Sequence, residues 1–106
     1  MPFFAGRDVV VVPTIFDLEL TSALVRRGVD PARVDRFFEQ HLVTRERVTI
    51  GPRAVGALRR ILATTQLRAA DAIYVWVAAR EGLDLVTADD EVLRRAPLAG
   101  VNAVAP

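Results

Sequence analysis

The stretch LRAADAIYVWVAAREGLDLVTADDE, residues 67–91, decides the fold of this chain. Its first half reads as a helix. Residues 69–79 are apolar on nearly every face, and a helix that is greasy all round is normally buried. One acid, Asp71, stands in the first turn. After Gly82, residues 83–88 form a short apolar run that stops at Asp89 and Asp90. That pattern suits a strand covered on both faces, as in a parallel sheet. A carboxylate in such surroundings is costly unless it is paired, hydrogen-bonded or bound to a cation. Something is therefore expected to neutralise Asp71 and Asp89.

Outward from this stretch, strands and helices alternate. Residues 9–12 are four valines closed by Pro13, a strand with both faces buried. Thr14 is placed to cap a helix over 15–27 that stops at Gly28. Phe16, Leu20, Ala23 and Leu24 make its inward stripe, Glu19 points along that stripe, and Asp17 lies further round towards solvent. Asp30-Pro31 opens a second helix whose apolar side is Val34, Phe37, Phe38, His41 and Leu42. Residues 48–50 read as a short strand broken by Gly51-Pro52. A third helix, about 53–64, is expected to bury Val55, Leu58, Ile61 and Leu62 and to expose Arg53, Arg59 and Arg60. The buried helix, from residue 69 or 70 to Gly82, comes fourth. A short helix over 91–95 stops before Pro97, and 101–104 is a last strand. Phe3 and Phe4 are expected to pack on the body. The alternation predicts a single α/β domain spanning 1–106 with a mainly parallel sheet.

Composition bounds the rest. The chain has 106 residues, 52% hydrophobic and 25% charged, with a net charge of +1, which gives no global nucleic-acid signal. No apolar run approaches the roughly 18 residues of a bilayer span, so no membrane partner is expected. The absence of cysteine excludes disulfides and thiolate metal sites and fits a cytoplasmic setting. Every basic residue but His41 is arginine, a side chain suited to gripping phosphates, although a bias towards GC-rich codons explains the same composition.

In a parallel sheet, ligands collect beyond the carboxyl ends of the strands. Asp89 and Asp90 follow one strand directly, Glu19 lies on the helix after another, and Asp71 opens the buried helix. Carboxylates gathered there raise one another's pKa unless a divalent cation sits among them. Magnesium and manganese favour such an all-oxygen environment.

PTIFDLELTSAL, then LRAADAIYVWVA, then LVTADDEVL, in that order, resemble the later motifs of the PIN domain, especially the ribonuclease toxins of the VapC type. The resemblance implies a three-layer α/β/α fold and hydrolysis of RNA phosphodiesters at an acidic Mg²⁺ or Mn²⁺ site. By the same resemblance, Glu19, Asp71 and Asp89 correspond to the metal-binding acids, with Thr87 as their hydroxyl neighbour. Asp90 is expected to support this catalytic set, and Arg59, Arg60 and Arg68 to contact RNA phosphates. It also implies a homodimer and a cognate antitoxin as partner. The family normally opens with a strand running into an aspartate, at the middle of its sheet. Here that unit of roughly 30 residues is missing, and Asp8 precedes a strand instead of following one. A truncated product, or a gap closed by a segment exchanged with another subunit, would each account for it. A non-catalytic remnant acting as a protein-interaction module is the alternative function.

Overall fold

The computed structural model describes the backbone of residues 3–5 and the whole of residues 10–106. Strand β2 (Val11–Pro13) pairs in parallel with β3 (Glu46–Val48). The connection between them carries α1 (Ile15–Arg26) and α2 (Pro31–His41). Helices α3 (Ala54–Thr65) and α4 (Ala69–Glu81) then lead to β4 (Asp84–Val86), followed by α5 (Asp90–Arg95), a 3-10 turn (Ala96–Ala99) and β5 (Ala103–Val104). β5 runs parallel to β4 on one side, and β1 (Phe3–Ala5) runs antiparallel to it on the other. β1 also lies against β2, so the two sheets stand side by side. The fold is therefore mixed α/β with mainly parallel pairing, of the expected layered kind.

A short strand occupies the central place where the resemblance leaves a gap. It runs in the reverse direction and, with Phe3 opposite Val86 and Ala5 opposite Asp84, it does not end on an acid at the rim where β4 ends. Asp8, Val9 and the side chains of Phe3 and Phe4 lie outside the described residues.

The core forms where α4 lies across β2 and β4. Val11, Val12, Tyr74, Val75, Val77, Leu85 and Val92 are all sealed from solvent there. α4 is buried because it has almost no polar face to present. It stops where Gly82 turns left-handed at φ 64°, a conformation a side chain would resist. Asp30 caps α2 as expected, its side chain accepting from the Ala32 N–H at 2.8 Å. Thr14 does not cap α1. Its own N–H donates to the Val48 carbonyl, so β3 fixes the start of that helix. Ala23, Phe37, His41 and Val55, expected inside, are exposed, because α2 packs mainly on α1, and α3 on α4 and the 3-10 turn, more than on the sheet.

Asp17 is a correction as well. It is partly buried and held by two Arg45 bonds of 2.8 Å, with Arg47 adding two more at 3.0 and 3.2 Å. Arg45 also lies over the Phe38 ring and donates to the Leu42 carbonyl, tying α1, α2 and the start of β3 together. The Arg45 hydrogen bond holds the Asp17 carboxyl below its ordinary pKa despite the opposing effect of burial. A depressed carboxylate stabilises the fold above the unfolded-state pKa and loses that contribution as pH falls through the folded one. Asp17→Ala should thus cost about 1 kcal/mol at pH 7 and nothing measurable well below pH 3. Urea titrations across that range would show the two stability curves converging in acid.

Candidate active site

Three separated segments contribute acids, two of them within electrostatic reach of the third, Asp71. Asp71 stands in the first turn of α4, half-buried, and no hydrogen bond or ion pair reaches its carboxylate from the described residues. Its pKa is raised, first by burial, then by the negative charges of Asp89 and Glu19; Arg68 opposes the shift and Glu91 adds to it. Glu19, on α1, accepts a 2.6 Å hydrogen bond from the Tyr74 hydroxyl. Tyr74 lies one turn after Asp71 on the same side of α4, and both burial and Glu19 push its phenol pKa up, so it stays a donor.

Asp89 ends the loop after β4 and caps α5. Its Oδ1 accepts from the Glu91 N–H at 2.8 Å and the Val92 N–H at 3.1 Å. Both bonds fall on one oxygen, and no bond from the described residues reaches Oδ2. Thr87, fully buried, accepts from the Asp89 N–H at 3.1 Å. Through this bond it orients the Asp89 backbone. Asp90 is exposed in the first turn of α5.

The arginines divide. Arg68, just ahead of α4, stands near enough to Asp71 to oppose its shift. Arg59 and Arg60 are exposed on α3, and Arg60 lines a different groove, beside Trp76. Tyr74 is a residue of this site that sequence reasoning missed. The available signal was that a buried tyrosine hydroxyl needs a partner, and Glu19 is the acid facing the same interior.

A model of the PIN domain matches residues 2–98. The chain belongs to the PIN domain family. No curated protein and no solved structure matches it. PIN domains are generally nucleases and typically use divalent metals, so this one has a nuclease-type fold. The donor set fits such an ion chemically, since all three acids offer only oxygen. Among the described residues no group of three acids is placed to hold an ion as it lies.

Substitution separates the capping of α5 by Asp89 from the metal role expected of it. Asparagine caps a helix nearly as well as aspartate, so Asp89→Asn should leave the melting temperature within about 2 °C of the parent. Asp89→Ala loses the cap as well, at about 1 kcal/mol or 4–8 °C. Both should lose the stabilising response to manganese, measured by thermal scans with and without the ion.

Proposed function

We propose that this PIN domain is a metal-dependent endoribonuclease, a toxin of a toxin–antitoxin pair acting in the cytoplasm. The observation that supports it is the placement of a half-buried Asp71, unpaired among the described residues, within reach of the charges of Asp89 and Glu19. A cation at that point relieves the repulsion.

Asp71 and Asp89 would hold Mg²⁺ or Mn²⁺ directly, Asp89 through Oδ2, and Glu19 directly or through water. When bound, the ion would lower the pKa of a water and stabilise the leaving oxygen of a phosphodiester. Tyr74 fixes the Glu19 carboxylate by donating to Oε1, which leaves Oε2 for the ion or its water. Asp90, exposed beside Asp89, would support this set or accept a proton from water. Arg68 meets the substrate's phosphate at the rim, and Arg59 is available to a longer RNA as a backbone contact.

The test is cleavage of a labelled single-stranded RNA. Activity should appear with manganese, vanish with chelator, and fall at least about 100-fold in an Asp71→Asn, Asp89→Asn double variant. Cleavage that survives both treatments would assign the activity to something other than these acids.

A further inference from the structure

The far side of α4 from the acids carries a second feature that the nuclease reading does not use. Trp76 and Arg80 follow Asp71 by five and nine residues, about 140° and 180° round an ideal helix. Two adjoining hollows of about 510 Å³ and 280 Å³ meet there, sharing Ala57, Trp76 and Arg80. Their floor is apolar, with Ile61 and Ala99, and exposed Leu98 stands at the edge. Arg60 lines the larger hollow and Arg53 the smaller, while Arg80 lies over the Trp76 ring at 5.5 Å from its centroid. No acid lines either hollow, and none of these three arginines has an ion pair among the described residues.

We propose that this groove between α3, α4 and the 3-10 turn docks an acidic amphipathic segment of another protein. Apolar side chains would fill the two hollows, and flanking Asp or Glu would meet Arg53, Arg60 and Arg80. Tryptophan and arginine over an apolar floor are the side chains that most often dominate binding energy at protein interfaces. Charge decides between occupants. A two-fold pairing of this chain through the groove would set three arginines against three more, a like-charge contact that disfavours self-association here. Single-stranded RNA stacks its bases on open aromatic faces, whereas Arg80 already covers a face of Trp76. The groove also faces away from the acids that would cut RNA.

Trp76 is the chain's single tryptophan, so its emission reports directly on the groove. The probe is a synthetic helical peptide with leucines at i, i+3, i+4 and i+7 and glutamates between them. Its twin carries glutamine in place of every glutamate. Titration with the acidic peptide should shift Trp76 emission saturably, and the twin should bind about tenfold or more weakly. Arg60→Glu and Arg80→Glu should each weaken the acidic peptide about tenfold. Because Arg80→Glu alters the tryptophan's own surroundings, anisotropy of a labelled peptide is the readout for both variants, with circular dichroism confirming their fold. Equal binding of the twin, no saturable binding at millimolar peptide, or indifference to the charge reversals would overturn the proposal. So would displacement of the peptide by an oligo-uridylate, which would make the groove a nucleic-acid surface, or a dimer that Leu98→Asp dissociates. None of these readouts depends on RNA cleavage, so the groove and the nuclease reading stand or fall separately.

Discussion

Asp71→Asn should make the metal-free protein more stable while removing its response to manganese. The raised pKa of Asp71 means that the folded state holds this proton more tightly than the unfolded chain does. A carboxyl of that kind favours the fold at pH below the unfolded value and loses the contribution as pH rises through the folded one. At neutral pH the ionised side chain therefore works against the fold, burial and the charges of Asp89 and Glu19 being the causes. Asparagine has nearly the same shape and no charge. Solvent screening at a half-exposed site keeps the gain to about 2–4 °C in melting temperature. The gain should shrink towards zero as the pH is lowered through the carboxylate range, where the parent becomes neutral too. In the parent, manganese at ten times its dissociation constant should add about 1.4 kcal/mol. In the variant it should add almost nothing. A variant that melts earlier than the parent at neutral pH, or that still answers to manganese, would remove Asp71 from the site.

Leu85→Ala should do the opposite, losing stability and keeping the ion. Leu85 is sealed from solvent at the centre of β4, with Phe4 opposite it on one side and Ala103 on the other. Truncation there removes transfer energy and leaves a cavity that the strand cannot close, at about 3 kcal/mol. For a chain of this size that is roughly 12 °C or more, a large share of the 5–15 kcal/mol typical of a domain. Thr87 and Asp89 follow two and four residues later; the Thr87 N–H donates to the Val104 carbonyl of β5, but the Asp89 carboxylate takes its bonds from α5. Below the lowered melting point the manganese affinity should stay within about threefold of the parent. Calorimetric titration at 15 °C, beside urea unfolding, would separate the two effects. A matched loss of affinity would mean that β4 itself, and not the loop after it, sets the position of Asp89.

The helices were legible because their ends are written locally. Asp30-Pro31 starts α2, Gly82 stops α4, and the all-apolar face of α4 announces its burial. The strands were less so. Residues 48–50 read as a strand, but β3 is Glu46–Val48, because pairing with Val11–Pro13 sets its register and no local signal carries that. Asp17 was misread for the same reason, its partners Arg45 and Arg47 being 28 and 30 residues away. At the site, the order of Glu19, Asp71 and Asp89 along the chain was enough to expect them at one end of the sheet, and Asp71 does feel the charges of the other two. Which atom each acid commits elsewhere was not, since the Tyr74 bond to Glu19 spans 55 residues.

The strand pairings also decide where each end of the fold comes out. Phe3 lies beside Val86 on one flank of β4, and Val104 lies beside Val86 on the other. The two positions are thus about 10 Å apart, twice the spacing of neighbouring strands, at the end of β4 that runs on to Asp89. A polyhistidine tag fused at either terminus would be tethered next to the acids and would compete for the same ion, so metal titrations call for tag-free protein. The same closeness would let a short linker run from Val104 to Phe3. New ends cut between α1 and α2, at the exposed Gly28, would then give a circularly permuted chain with its acids free of any appended sequence.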